Sequence, residues 1–239
     1  MSTREITAHR GAMSEAPENT MAAFRRAVEL GVDEIELDVH FSADGHLAVM
    51  HDATVDRTTD GTGRISDTTW EQLQRLDAGR GERVPNLEQV LDSFPGMPFQ
   101  IEVKDVAVTQ RVLEVIEDRR RSLGRVTVTS FHLEAVEGAL QPDRWWRVGL
   151  ICGRDQAQKV PRAAALGVDC AYLHENVLAS DAVIPFRERG GQVYCWPARD
   201  EAEIRRALAA DVTGFTTDDP ALALRQRDRQ ESDFHANHP

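Results

Sequence analysis

Apolar positions along this chain follow two periods that take turns. Short stretches with strand-like alternation or continuous apolar runs give way to stretches with helical spacing, and the exchange repeats nearly from end to end. The strand-like segments are Ile6–Ala8, "EIELDVHF", "PFQIEVK", "RVTVTSF", "RVGLIC", "CAYLHE", "QVYCWPA" and "VTGFTT". Among the amphipathic segments, Met21–Leu30 carries Ala23, Phe24, Ala27, Val28 and Leu30 on one stripe. Val108–Arg121, Leu133–Leu140, Ala157–Leu166, Ala179–Arg189 and Glu201–Ala210 read the same way. Gly31, Gly167 and Gly190 stand where helices commonly end. Eight strands with helices between them predict an α/β fold, a single closed (β/α)8 barrel of the TIM type over residues 1–224. An open doubly wound sheet is the alternative, but the first strand lacks the G-x-G-x-x-G that such a sheet is expected to carry.

One stretch breaks the rhythm. Residues 53–85, after His51-Asp52 and before a helix predicted near Asn86–Phe94, are rich in Asp, Thr, Gly and Arg, and only "TTWEQLQRLD" reads as helix. An insertion at a strand's C-terminal end is where a barrel carries lids and specificity elements, and a tolerated surface excursion is the bland alternative. Residues 225–239 read as a polar, frayed tail, with His235 and His238 solvated.

Composition narrows the class. A hydrophobic content of 41% with 28% charged residues fits a soluble globular chain rather than a disordered one. No apolar run approaches the roughly 18 residues that span a bilayer, and Met1–Glu5 is followed by no apolar signal segment. The three cysteines, Cys152, Cys170 and Cys195, have no metal-ligand spacing and read as buried reduced thiols of a cytoplasmic protein. A net charge of −12 argues against nucleic acid and against stable association with anionic membranes. Nothing in the sequence sets an oligomeric state. An acidic chain that handled an anion would need a local source of positive charge.

The candidate chemistry sits at strand ends. In "EIELDVHF" the alternation sends Ile35, Leu37 and Val39 one way and Glu34, Glu36, Asp38 and His40 towards the barrel axis. Acids stacked in an interior repel one another, and a cation resolves the repulsion. Glu102 and Lys104 repeat the device on "PFQIEVK", so Glu36, Asp38 and Glu102 make a hard oxygen site suited to Mg²⁺ or Ca²⁺. An inward salt-bridge network centred on Lys104 is an equal alternative. His9 and His51 end neighbouring strand-like stretches, where one imidazole could take a nucleophile's proton and the other protonate a leaving alkoxide. The cation, Arg10 and Lys104 would neutralise a phosphoryl group. In "PENT", Asn19 or Thr20 can cap the helix Met21–Leu30, with Pro17 fixing the approach.

"AHRG", "PENT", "EIELDV", "HD", "EVK", "SF" and "TTDDP", in this order and spacing, resemble the glycerophosphodiester phosphodiesterase family from Ile6 to about Leu224. The resemblance implies a TIM barrel that hydrolyses glycerophosphodiesters to glycerol 3-phosphate and an alcohol. It implies His9 and His51 as the acid–base pair, Glu36, Asp38 and Glu102 as metal ligands, and Arg10 and Lys104 as phosphate contacts. It puts Gly11 where a missing side chain would let backbone approach the ligand, and Glu18 at the edge of the site, orienting its neighbours. The family's Trp-Thr-Val-Asn pattern is replaced here by Trp196-Pro197-Ala198-Arg199. Trp196 could face a glycerol or alcohol group, or pack in the core, and Arg199 puts a charge at the rim. Phe131 and Tyr172, at other strand ends, are further candidates for the mouth. A phospholipase D-like activity on lysophospholipids and a non-catalytic phosphate-binding barrel are the rival readings.

Overall fold

The computed structural model describes residues 3–237. Nine strands form one sheet: β1 (Glu5–Ala8), β2 (Glu34–Phe41), β3 (Leu47–Val49), β4 (Phe99–Val103), β5 (Val126–Ser130), β6 (Arg147–Cys152), β7 (Cys170–Leu173), β8 (Gln192–Ala198) and β9 (Gly214–Thr217). Eight of them pair in parallel in the order β1-β9-β8-β7-β6-β5-β4-β2, and β1 pairs with β2 to close the barrel. β3 is the ninth, an antiparallel return on β2 through the turn at Asp44-Gly45. The eight predicted barrel strands are all present, so the chain is a TIM barrel.

Helices fill the crossovers because each buries one apolar face on the barrel. In Met21–Leu30, Thr20 caps the start by accepting from the Ala23 N–H, and Gly31 at φ 78° closes the end. Its buried face is Ala23, Phe24 and Ala27, while Val28 is 41% exposed at the edge of the predicted stripe. The predicted tail also differs from the structure: Pro220–Asn237 is one helix rather than a frayed end. Ala223 is buried, and Arg227 reaches back to Asp33 Oδ2 at 2.6 Å, so polar contacts hold a segment that lacks an apolar stripe. The side chain of His235 and all of His238 lie outside the described residues.

The inward face of β2 is split along its length. Glu34, near the N-terminal end of the barrel, is fully buried, accepts from Thr7 Oγ1 and lies 3.5 Å from Arg125, which also holds Glu5 through two bonds of 2.9 Å. One guanidinium therefore answers the lower acids, and Glu36 and Asp38 are left to the upper half. The interior below β5–β8 is apolar and aromatic: Ile151, Cys170, Tyr172 and Tyr194, with the two tyrosines stacked at 4.7 Å.

Residues 53–85 have a small core of their own. Val55, Ile65, Trp70, Leu73, Ala78 and Val84 pack on Ala48 and Met50. Asp44 accepts from the Trp70 N–H at 2.9 Å, and His46 stacks on the indole, which ties the insertion to the β2–β3 hairpin. Among the described residues, no helix is long and apolar enough to cross a membrane.

All three cysteines are free and buried. Burial pushes the thiols of Cys152 and Cys170 up to about 12 and that of Cys195 up to about 11. A thiol reagent at mildly alkaline pH should therefore leave the native protein unlabelled and titrate all three thiols only in denaturant. Fast labelling of the folded protein would show that these strands open readily.

Candidate active site

Every predicted site residue except Glu18 lies on, or within two residues of, the C-terminal part of a strand, the end at which TIM barrels build their sites. His9, Arg10, Glu36, His51, Glu102, Phe131 and Trp196 line one cavity, together with Gln100, Ile151, Tyr172 and Thr216. Asp38 and Lys104 touch lining residues, Asp38 at Arg10 and Lys104 at Glu102, and Glu18 lies between Arg10 and Arg57.

Register explains the acid cluster. Asp38 and Glu102 are direct partners across β2 and β4, and Glu36 is one inward step below Asp38. One oxygen from each of the three carboxylates lies within 4.8 Å of the others, and all three residues are buried. Burial, with the charges of Asp38 and Glu102, pushes Glu36 well above the usual carboxylate range. Burial and the Asp38 charge push Glu102 up to about 7. Burial acts on Asp38 in the same direction, but Lys104 and Arg10 outweigh it and bring Asp38 down to about 2.

Lys104 Nζ contacts Glu102 at 2.7 Å and Asp38 at 3.3 Å, and the Arg10 N–H donates to Glu36 at 3.0 Å. Two of the three acids thus share the lysine that the salt-bridge alternative invoked. It does not satisfy them fully, because Asp38 Oδ1 is buried without a hydrogen bond, the ammonium lying off its bonding directions. An all-oxygen donor set with an orphaned buried oxygen and proton-hungry neighbours fits a hard divalent cation.

The two histidines are held alike. His9 Nδ1 donates to Asp218 Oδ1 at 2.6 Å, and His51 Nδ1 donates to Asp52 Oδ1 at 2.6 Å. An ionised carboxylate can only accept, so Nδ1 is the donor in each pair and Nε2 is the nitrogen left to exchange a proton, as base in the neutral ring and as acid in the imidazolium. His40, read as inward-facing, bonds through Nε2 to the His51 carbonyl at 3.0 Å and so fixes the backbone beneath that ring. Burial, then the charges of Lys104 and Arg10, hold His51 below the usual imidazole range against the pull of Asp38 and Asp52.

The turn "AHRG" takes its shape from packing. Arg10 at φ 54° and Gly11 at φ 79° are both left-handed. A Cβ on Gly11 would stand 2.7 Å from the Ala23 carbonyl carbon, so the missing side chain admits the helix Met21–Leu30, not a ligand as the resemblance implied. Since Thr20 takes the cap, Asn19 is free to donate from Nδ2 to Asp38 Oδ2 at 2.9 Å. Asn19 therefore supports the acid cluster, a part that capping logic alone had hidden. Trp196 donates to the Cys152 carbonyl at 3.2 Å and meets Phe131 edge-on at 5.4 Å, giving the cavity an apolar wall, with the Lys104 ammonium 6.0 Å from the Phe131 ring centroid. Arg199 is exposed beyond that wall.

With this geometry stand the likenesses to known proteins. Residues 9–222 match the Glycerophosphoryl diester phosphodiesterase family. The chain belongs to that family. It is 39% identical to a glycerophosphodiester phosphodiesterase of Bacillus altitudinis, covering 95% of this chain and 99% of that one. It is 34% identical to one of Caldanaerobacter subterraneus subsp. tengcongensis, covering 92% and 96%. The crystal structure of glycerophosphodiester phosphodiesterase from Agrobacterium tumefaciens superposes with a TM-score of 0.79 at 30% identity, covering 92% of this chain and 98% of that one. An Oleispira antarctica phosphodiesterase, solved with the product sn-glycerol-3-phosphate, superposes with a TM-score of 0.82 at 25% identity, covering 95% and 97%. Sequence reasoning about this phosphodiesterase missed Asp218, Asp52 and Arg57 as individuals, although "HD" and "TTDDP" contain the two aspartates.

The phosphodiesterase turn yields a stability test. Gly11→Ala puts a methyl group into the Ala23 backbone at a positive φ, and should destabilise the fold by about 1–3 kcal/mol. Chemical denaturation measures this; an unchanged midpoint would mean that the helix yields without cost.

Proposed function

We propose that this enzyme hydrolyses glycerophosphodiesters to glycerol 3-phosphate and an alcohol. In this reading Glu36, Asp38 and Glu102 hold a divalent cation, Mg²⁺ or Ca²⁺, and His9 and His51 transfer the protons. The observation that carries the proposal is that two imidazoles, each fixed through Nδ1, open onto the same cavity as the acid cluster. A site that only bound phosphate would have no use for two titrating groups so fixed. The product held by the Oleispira antarctica relative supports the choice of substrate.

When bound, the cation supplies positive charge to the phosphoryl oxygens and lets the three carboxylates ionise together. Arg10 and Lys104 add their charges from the same side. Phe131 and Trp196 offer the carbon skeleton of a small alcohol an apolar face. The nucleophile gives its proton to His9 Nε2, whose partner Asp218 stabilises the imidazolium; a water gives glycerol 3-phosphate directly, whereas the substrate's own 2-hydroxyl gives a cyclic phosphate that a water then opens to the same product. His51, entering as the imidazolium, donates its Nε2 proton to the departing alkoxide. Burial lowers the proton affinity of this ring, and its partner Asp52 is shared with Arg57 through two bonds, which suits His51 to giving a proton up.

Two measurements test this. Chelation should abolish turnover of a glycerophosphodiester, and Mg²⁺ or Ca²⁺ should restore it; full activity after exhaustive chelation removes the cation from the proposal. Replacing the acid matters most when the leaving alkoxide is strongly basic. His51→Ala should therefore cost on the order of 10²–10⁴-fold on a choline or ethanolamine diester and far less on a nitrophenyl diester, whereas His9→Ala should harm both alike. Equal losses in all four combinations would end this division of roles. Full activity of either variant on the natural diester would make that histidine structural.

A further inference from the structure

We infer that Arg57, delivered by the insertion, is a positioning residue that sets both halves of the site at once, aiming His51 through Asp52 and Arg10 through Glu18. The inference rests on the two-histidine reading above.

One guanidinium makes four short bonds to two carboxylates. Nε donates to Asp52 Oδ2 at 2.7 Å and Nη2 to Asp52 Oδ1 at 3.0 Å, while Nη1 donates to Glu18 Oε2 at 2.7 Å and Nη2 to Glu18 Oε1 at 2.8 Å. Each carboxylate then has a second task. Asp52 Oδ1 takes the His51 Nδ1 proton at 2.6 Å, and Glu18 Oε1 takes an Arg10 Nη1 proton at 2.9 Å. A continuous chain of hydrogen bonds thus runs from one candidate catalytic imidazole to the candidate phosphate-binding guanidinium, and Arg57 is its midpoint. The residue does not line the cavity, so it acts through these two neighbours and not on substrate.

Energy of the ordinary kind does not account for it. The Arg57 side chain is 47% exposed, and exposed ion pairs contribute little stability. What two bidentate grips supply is direction, since they fix the planes of both carboxylates relative to one another. The main factor lowering the Asp52 carboxyl is its bond to Arg57; Glu18, which burial pushes up, is brought down by Arg57 and Arg10. Without Arg57 two ionised carboxylates would face each other with no charge between them and would swing apart.

The insertion holds this residue in place. Val55, two residues earlier, is 1% exposed in the insertion's own core, and its N–H bonds to the Gly63 carbonyl at 2.9 Å. Asp56 accepts from the Gly63 N–H at 3.1 Å, and Thr59 Oγ1 donates to the Val55 carbonyl at 2.7 Å. No residue of 53–85 lines the mouth cavity among the described residues, so in this inference the insertion serves the site as a buttress.

The test compares Arg57→Ala, Arg57→Lys and His51→Ala on a choline diester and on a nitrophenyl diester. Arg57→Ala should lower kcat about 10–100-fold on the choline diester, the usual cost of losing a partner behind a functional side chain. It should raise KM several-fold, lose less on the nitrophenyl diester, and melt within a few degrees of the parent. Lysine should not rescue it, because one ammonium cannot grip two carboxylates in planes. Millimolar guanidinium should restore part of the kcat of Arg57→Ala and none of that of His51→Ala. Wild-type kinetics in Arg57→Ala beside an inactive His51→Ala overturns this inference alone, as does a loss equal on both substrates that guanidinium does not relieve. Full activity in His51→Ala overturns the two-histidine reading beneath it.

Discussion

Three buried carboxylates within 4.8 Å of one another, in a barrel interior with little water to screen them, set the terms for everything near them. Such a cluster would spread apart if its backbone were free to move. Parallel pairing of β2 with β4 forbids that by fixing Asp38 beside Glu102. The residues around them answer the charge piecemeal: Lys104 to two acids, the Arg10 backbone to Glu36, Asn19 to Asp38. One oxygen of Asp38 still lacks a hydrogen bond. The site is therefore an arrangement that could bind a metal ion.

The same accounting resolves how a chain with a net charge of −12 can attend to an anion. Exposed arginines such as Arg75, Arg162 and Arg205 are paired with neighbouring acids. At the cavity positive charge is gathered on Arg10 and Lys104, and each is kept in place by the acids it neutralises. Overall charge thus says little about the field at the bottom of a cleft, where a few fixed groups at short range prevail.

Much of this was legible in the sequence because it depends on period and order. Two-residue alternation put Glu36, Asp38 and Glu102 on the inward face, and the exchange of strand and helix periods implied a closed barrel. What could not be read depends on register and on contacts between distant segments. The "TTDDP" motif does not disclose that Asp218 meets His9 from the last strand, because only barrel closure brings β9 beside β1. Asn19 and Thr20 both suit a helix cap, and tertiary geometry alone decided that one caps and the other supports Asp38. Gly11 looked like a ligand contact because the family resemblance puts it there, whereas the neighbour it accommodates is a helix. The tail looked frayed since its sequence lacks an apolar stripe, and Arg227 with Asp33 shows how a polar helix can still dock.

The stacked pair Tyr172–Tyr194, with the Arg125–Glu5–Glu34 ion network at the N-terminal end of the barrel, has a topological consequence. Among the described residues these groups fill the barrel interior at its N-terminal end, so the cavity is reached from the C-terminal end, where His9 and His51 stand. In the proposed reaction both fragments of the diester leave the way the whole molecule came in. A fragment that lingers there occupies the space an incoming diester needs, so product and substrate compete for the chamber.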